Sequence, residues 1–455
     1  MRYNIKTAIL LIVFFILKLG VVEAASASLT LSEAMILALK HNPGLKAAGM
    51  TVEIAEADVA RARARFLPQI NFGESYSFSD NPSNVFTYKL NQRVFSQTDL
   101  LPNNINNPKP YGDFRTGISM SQPVFQAGEA YLGYQQARLG QKSANALVLN
   151  SRQGLLLNVI QTFYGLQLSQ KRLEVIKAAK KTAGENLKIV KAHFESGMAV
   201  YADVLSAEVN FARLVQEELT SSNQVEIGRS AIDTVVGIRG LSERPLGPAP
   251  QEPAPLPGNL DELQRVAQEK RPDLQRLELA AQVAQKEHEK ARLNYLPRVR
   301  VIAEYDVDQR RLFGNSGDSY TIIAVMNFNL FNGFADLAKM RESRAQKKQA
   351  EELRQELADR VRHQVTESIL NLKTAHERLK VAQIAMTQAQ ESLRLKRLRY
   401  QEGFTILLDL LTSENAAKDA GLDQVTALFD THLAQARLEL ALGTLSGPSS
   451  DQKTH

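Results

Sequence analysis

The sequence predicts an α+β membrane protein made of two copies of one unit, in which short strands build a β-barrel and long helical hairpins continue from it. Three observations predict this fold: an internal tandem duplication, four strand-like segments with alternating apolar side chains, and two very long helices with a seven-residue apolar repeat. Because one chain offers only four strands and small barrels need about eight, strands must be pooled across subunits. A dimer would give eight strands and a trimer twelve.

The N-terminus has the pattern of a secretory signal peptide. Arg2 and Lys6 precede an apolar run over residues 7–22 that only Lys18 interrupts, and Val22 and Ala24 supply small residues at the positions that signal peptidase recognises. We expect residues 1–24 to be removed, with cleavage as late as residue 27. The alternative, a retained membrane anchor, is disfavoured because the run is short and a cleavage site follows it.

The duplication appears as two blocks of constant offset. Asn42-Pro43 corresponds to Arg271-Pro272 at an offset of 229. Further along, the offset is 206, and the matched pairs are Phe125 and Phe331, Phe194 and Tyr400, Gly197 and Gly403, Asp203 and Asp409, Glu208 and Glu414, and Gly237 and Gly443. The first copy therefore carries 23 extra residues before Phe125. Their Pro/Asn-rich run at 101–110 predicts a long loop.

The domain organisation follows from these repeats. We predict a first repeat over 28–243, a Pro-rich linker over 244–258, a second repeat over 259–445 and a flexible tail over 446–455. Each repeat should contain a helix broken by proline, a strand pair and a long helical hairpin. The predicted strand pairs are 69–122 and 298–330, and the predicted hairpins are 128–237 and 333–443.

The strand segments alternate apolar and polar side chains over about ten residues, the length that a tilted strand needs to cross a bilayer. In the first strand Ile70, Phe72, Tyr76 and Phe78 alternate with small or polar residues. Lipid-facing strands need neighbours for every backbone hydrogen bond, which requires a closed barrel. Residues 314–318 are predicted to form the turn between the third and fourth strands.

The hairpins begin with helices predicted over about 128–196 and 333–402, each about 100 Å long at 1.5 Å per residue. Return helices are expected over about 199–236 and 405–442. A seven-residue stripe of this length predicts a left-handed supercoil. In the first copy only Lys180 interrupts it. In the second copy the stripe consists of Val365, Leu372, Leu379, Met386, Leu393 and Tyr400.

Composition excludes several functions. The chain has no cysteine, which rules out disulfides and thiolate metal sites. Its 55 Lys and Arg against 49 Asp and Glu are spread along the chain, so no basic patch predicts nucleic-acid binding. The catalytic, nucleotide-binding and zinc-protease motifs that we sought are absent, and the seven histidines form no close ligand pair. We therefore expect no enzymatic activity, no cofactor and no metal site.

Together, the ordered and duplicated motifs resemble outer-membrane efflux proteins of the TolC type. They are the Pro-x-Leu motifs after Asn42 and Arg271, the aromatic-Leu-Pro motifs at Phe66 and Tyr295, the turns starting at Val124 and Leu330, and the two hairpin tips. The resemblance implies a homotrimer with a twelve-stranded barrel in the outer membrane of a Gram-negative bacterium, where the lipid contacts of the barrel alone must hold it because the chain has no cysteine for a lipid anchor. It further implies a helical tunnel across the periplasm that receives substrates from an inner-membrane transporter and a periplasmic adaptor (membrane fusion) protein.

The resemblance also implies roles for residues at the tips. Asp409 falls where the family narrows the periplasmic mouth, so three copies would form a carboxylate ring. Tyr400 and Asp203 fall where links between hairpins keep the mouth shut, and we expect a phenol-to-carboxylate hydrogen bond. Alternatively, both aspartates cap the return helices. Gly197 and Gly403 should allow the chain reversal, on tips that form the surface for adaptor docking.

A second hypothesis is a periplasmic adaptor or scaffold protein built on coiled-coil hairpins. An adaptor would show one hairpin flanked by soluble β-domains, whereas this chain has two hairpins that each carry a strand pair of membrane-crossing length. The sequence therefore favours a passive exit channel of an efflux or type I secretion system. It does not identify the transported substrate.

Overall fold

A computed structural model describes residues 28–249, 252, 258–314 and 316–448. The predicted signal peptide, part of the predicted linker and most of the predicted tail lie outside the described residues. The chain divides into two compact units. The first comprises Met1–Met50, Leu147–Leu274 and Glu356–His455, and the second comprises Thr51–Ala146 and Gln275–Gln355.

Helices account for most of the described residues. Their bounds are α1 Leu31–His41, α2 Pro43–Ala64, α3 Pro82–Asn91, α4 Pro102–Asn106, α5 Glu129–Glu195, α6 Tyr201–Val236, α7 Leu260–Lys270, α8 Pro272–Arg292, α9 Ala335–Gln401 and α10 Leu407–Ala441. Helices α5 and α9 have 67 residues each. No described helix has an apolar stretch long enough to span a membrane.

The second unit contains one antiparallel sheet in the order β1-β2-β3-β4. Its strands are β1 Gln69–Ser79, β2 Tyr111–Phe125, β3 Arg298–Gln309 and β4 Ser316–Asn327. The four strands that alternation predicted are present. The turn predicted over 314–318 is wrong, because Gln309 pairs with Ser316 and the connection lies between them. Strand pairing therefore extends β4 over the last three residues of the segment whose glycines favour a turn.

The segment between β1 and β2 is a correction to the predicted long loop. It contains α3 and α4, joined by a short 3₁₀ helix over Gln97–Leu100. The Oδ1 atom of Asn81 accepts a hydrogen bond from the amide of Ser83 at 3.0 Å, and Pro82 occupies the first turn. Asn-Pro is thus a helix start here, because proline has the backbone angle of a first turn and asparagine caps it.

The first unit is held together by apolar contacts between helices. In the heptad stripe of α9, Val365 and Leu372 are buried. They pack with Ala434 and Leu438 of α10 and with Ala267 of α7. The predicted stripe therefore forms a packed seam.

Lys180 interrupts the corresponding apolar stripe of α5, and its charge is paired. Its ammonium group forms an ion pair with Glu218 of α6 at 2.5 Å. Both side chains are partly solvent-accessible. The interruption thus replaces an apolar contact between α5 and α6 by an electrostatic one.

Candidate functional site

Two chain reversals form the tips of the helical hairpins. Gly197 and Gly403 have φ angles of +76° and +78°, in the left-handed region that glycine adopts without strain. Each amide bonds back into the preceding helix, Gly197 to the carbonyl of Phe194 at 3.0 Å and Gly403 to that of Tyr400 at 3.1 Å. The two tips therefore use the same helix-ending geometry, in agreement with the expected structural role of both glycines.

An apolar cluster lies directly behind the tips. Val190 of α5, Val204 and Ala207 of α6, and Leu407 and Leu410 of α10 are buried in it. These residues come from both copies of the repeat, so the two hairpins of one chain pack against each other there.

Tyr400 belongs to this tip cluster, and its counterpart in the first copy does not. Tyr400 is 5% exposed, whereas Phe194 is 42% exposed. The ring of Tyr400 stacks on His193, with centroids 5.3 Å apart, and Phe194 instead contacts Tyr201. Equivalent positions of the duplication have thus diverged in burial.

The expected hydrogen bond between Tyr400 and Asp203 is absent from the described part of the chain. The phenolic oxygen of Tyr400 is buried and has no hydrogen-bond partner among the described residues. Burial raises the pKa of the phenol, and the nearby negative charge of Asp203 raises it further. The stacking on His193 and the packing in the tip cluster fix the position of the Tyr400 ring. In this position Asp203 affects the phenol through its charge and does not accept a hydrogen bond from it.

Asp409 is held in a well-defined environment on the first turn of α10. Its carboxylate accepts a hydrogen bond from the hydroxyl of Thr405 at 2.7 Å and lies 3.3 Å from the ammonium group of Lys396. The Thr405 hydrogen bond and then Lys396 lower the pKa of this carboxyl group. Thr405 therefore supports the charged form of Asp409. Nothing in the sequence pattern singles out Lys396 as a partner of Asp409.

The capping alternative can be compared with the helix ends. The N-cap residues are Val200 for α6 and Ile406 for α10, so neither Asp203 nor Asp409 is the N-cap. Both aspartates lie in the first turn instead. A carboxylate there still interacts favourably with the helix dipole, which is compatible with a further role.

A buried carboxyl group that sequence reasoning did not single out lies behind the tips. Glu414 is 8% exposed. It accepts hydrogen bonds from the side-chain amides of Asn186 and Asn210, the latter at 3.0 Å. Burial raises its pKa, and the two amides only partly oppose this effect. Its counterpart Glu208 forms an exposed ion pair with Lys191 at 2.8 Å, so the duplication alone could not distinguish the two glutamates.

Comparison with known proteins identifies the family. The model of the family described as "Outer membrane efflux protein" matches residues 35–237 and 263–444. The chain belongs to this family. The two matched segments together cover most of the sequence and leave out the Pro-rich region around residue 250.

Individual relatives are distant in sequence and similar in fold. The alkaline protease secretion protein AprF of Pseudomonas aeruginosa is 24% identical over 90% of this chain and 83% of its own length. The proteases secretion protein PrtF of Dickeya chrysanthemi is 23% identical over 97% of this chain and 93% of its own. The CmeC outer membrane channel of Campylobacter jejuni has a TM-score of 0.79 at 17% identity, covering 92% of this chain and 87% of that one.

Family membership confirms two predictions from the sequence. The protein is an outer-membrane efflux protein of a Gram-negative bacterium, extending into the periplasm, and it acts as an outer-membrane exit channel. The family consists of channel proteins. The match therefore supports the channel hypothesis and gives no support to the adaptor hypothesis.

Proposed function

We propose that three copies of this outer-membrane efflux protein form a continuous duct with a twelve-stranded barrel, which conducts substrates delivered by an inner-membrane transporter and a periplasmic adaptor. The observation that carries the proposal is the sheet itself. Within the described residues, β1 and β4 each pair along one edge only. Lipid cannot satisfy the other edges, so the β1 edge of one chain must meet the β4 edge of the next.

The side chains of the sheet support contact with lipid. On β1 and β4 the large apolar side chains are exposed within one chain, as expected for a lipid-facing surface. They are Ile70, Phe72, Tyr76, Phe78, Tyr320, Ile322 and Met326. On neighbouring strands Arg115 binds Asp306 through two hydrogen bonds of 2.6 and 3.1 Å. Such charged pairs suit the water-filled side of a barrel.

The hairpin tips support docking of a partner protein. Apolar side chains surround both turns and remain exposed within the described part of the chain. They are Met198, Val200, Tyr201, Phe404, Ile406 and Leu408. Exposed apolar groups at this density are typical of interaction surfaces. We propose that adaptor hairpins cover them and that Gly197 and Gly403 shape the docking surface.

We also propose that the tips control passage. In a trimer, three Asp409 carboxylates would approach the axis, where they would repel anions and hold cations. The phenol of Tyr400 has no hydrogen-bond partner among the described residues. It would form a hydrogen bond with the adjacent hairpin of another chain, or with Asp203 after a small shift of the side chain. Loss of that link would open the mouth.

The absence of cysteine allows a direct test of the trimer. We would place one cysteine in β1 at Gly73 and a second in β4, scanning positions 319–323, in the full chain expressed in outer membranes. Oxidation should give SDS-resistant covalent trimers at one register. Monomers at every register would contradict the proposed barrel. A pair in the non-adjacent strands β1 and β3, Asn71→Cys with Arg300→Cys, serves as a control that should not crosslink.

The names of the relatives favour protein secretion as the use of this duct. AprF and PrtF are both described as protease secretion proteins. We propose that the cargo is an unfolded secreted protein delivered by a type I system. Deletion of the chain from its host should remove one or a few proteins from the culture supernatant and leave drug susceptibility unchanged. An unchanged supernatant with increased drug susceptibility would assign the duct to small-molecule efflux instead.

A further inference from the structure

Two carboxyl groups are buried together where α3 meets the sheet. Asp113 of β2 is 5% exposed and Asp308 of β3 is 2% exposed. The strand register pairs Asp308 with Arg115, two residues from Asp113 and therefore on the same face of the sheet. Diagonal neighbours on paired strands lie within reach of each other, so the two buried carboxyl groups share one site. Two buried carboxylates in contact need a positive charge or a proton between them.

The nearby cations are engaged elsewhere. Arg115 is the basic side chain opposite Asp308, and it binds Asp306 through both of its hydrogen bonds. Arg93 binds the carbonyl and the carboxylate of Asp318. Neither Asp113 nor Asp308 forms an ion pair within the described residues, since Arg115 and Arg93 are paired with Asp306 and Asp318. Two ionised carboxylates there would need a further positive charge.

Gln92 supplies an independent indication of a ligand. Its side chain is 2% exposed. Its Nε2 atom donates to the carboxylate of Asp113 at 2.8 Å and to the carbonyl of Gly112 at 3.1 Å. The remaining oxygen, Oε1, is buried without a hydrogen-bond partner among the described residues, and so is Oδ1 of Asp308. A buried acceptor oxygen without a donor is costly.

A backbone carbonyl group of α3 also lies close to the two carboxyl groups. The carbonyl of Asn91 lies against Gly317, where an added Cβ atom would be 1.8 Å from it. Gly317 pairs with Asp308 in the strand register. The C-terminal end of α3, whose carbonyls carry partial negative charge, therefore lies over the carboxyl pair.

We propose that Asp113, Asp308 and the side-chain oxygen of Gln92 bind a calcium ion, which ties the C-terminal end of α3 to the sheet. Carboxylate, amide and carbonyl oxygens are the ligands that Ca²⁺ prefers, and the mixed set suits its flexible coordination better than the strict octahedron of Mg²⁺. This site could not be predicted from the sequence, because its ligands lie on three separate segments and include neither histidine nor cysteine.

The test uses the purified full-length protein in detergent with terbium as a probe for Ca²⁺. All variants carry Asp409→Ala, so that ions at the hairpin tips do not contribute. We expect one tyrosine-sensitised terbium ion per chain, displaced by Ca²⁺ and much less by Mg²⁺. Asp308→Asn and Asp113→Asn should each weaken terbium binding at least about tenfold, because each removes a carboxylate that coordinates the ion directly. Asp99→Asn, which breaks an ion pair with Lys89 in the same segment, should leave binding unchanged.

The Gln92→Glu variant distinguishes a bound ion from a proton shared by the two aspartates. Its result does not depend on whether the chain still folds when Asp113 or Asp308 is replaced. A third carboxylate should strengthen Ca²⁺ binding severalfold and make the segment around α3 more resistant to protease in Ca²⁺ than in chelator. If the site instead holds only a proton, terbium binding will be absent in the parent protein, or equal in all variants, and Gln92→Glu will increase protease cleavage with or without Ca²⁺. Either result would overturn the proposal.

Discussion

The Nδ2 atom of Asn42 donates a hydrogen bond to the carbonyl oxygen of Val235 at 2.8 Å. The second copy repeats this contact, since Arg271 donates to the carbonyl of Ala441 at 3.4 Å. In both cases the residue before a helix-starting proline holds the last turn of the return helix of its own repeat. The motif that revealed the duplication thus fastens each long hairpin at its base.

We predict that Asn42→Ala loosens the base of the first hairpin. The variant loses the bond to Val235 and also the cap that Asn42 provides, through Oδ1, to the amide of Leu45 at 3.0 Å. The free energy of unfolding should fall by about 1–3 kcal/mol. Lys46→Ala, an exposed change in the same helix, should alter it by about 0.5 kcal/mol or less. Denaturant midpoints and hydrogen exchange at the C-terminal end of α6 would measure the effect; equal midpoints would contradict it.

The tip cluster should depend on Leu410 and not on its neighbour Leu408. Leu410 is fully buried, whereas Leu408 is 68% exposed. Leu410→Ala should cost about 2–5 kcal/mol because it leaves a cavity between the two hairpins. Faster hydrogen exchange confined to the tips is the expected readout. Leu408→Ala should leave exchange unchanged in the isolated protein and weaken adaptor binding if the proposed docking surface is correct.

Glu414 should give the tips a measurable pH dependence. Its pKa is raised above the ordinary value of 4.5. The ordinary value applies to the unfolded chain and the raised pKa to the folded chain, so the folded chain binds the proton more tightly. The free energy of unfolding therefore falls as pH rises from 4.5 to the raised pKa, and this contribution is constant above it. Glu414→Gln removes this loss. The stability of the variant relative to the parent should therefore increase with pH across that window, as measured by denaturation at several pH values.

The first-copy counterpart provides the control for Glu414. Glu208→Gln removes an exposed ion pair with Lys191, which should change stability by about 0.5 kcal/mol or less. A relative stability of Glu414→Gln that does not vary with pH would show that the buried carboxyl group does not titrate in this window.

Asp409 should limit ion flow through the tips. Asp409→Asn keeps the side-chain shape and removes the charge, so we expect higher single-channel conductance and weaker block by divalent cations in planar bilayers. Thr405→Ala should raise the pKa of Asp409, because it removes the largest cause of the lowered value, and relief of block should then occur at higher pH. Asp419→Asn, an exposed change further along α10, is the control. Identical conductance in all three variants would restrict Asp409 to stabilising the start of its helix.

Much of the fold could be predicted because its rules are local and periodic. Alternation with period two located all four strands, and proline at positions 43 and 272 located the breaks between α1 and α2 and between α7 and α8. The seven-residue stripe located α5 and α9 within two residues of their ends. The helices between β1 and β2 could not be predicted in this way, because Asn and Pro are frequent in loops and the same pair also starts a helix.

Side-chain partners at the site could not be predicted, because they depend on which helix faces which. The sequence treats Phe194 and Tyr400 as equivalent, and only packing places one outside and the other in the tip cluster. The sequence likewise treats Glu208 and Glu414 as equivalent. Only Glu414 is buried, where it accepts hydrogen bonds from Asn186 and Asn210. By itself, the sequence determined the duplicated architecture and the family, since both are encoded by periodicity and by ordered motifs. The tertiary structure alone decided the neighbours of Tyr400 and Asp308, because their burial and electrostatic coupling arise between segments that are far apart in the chain.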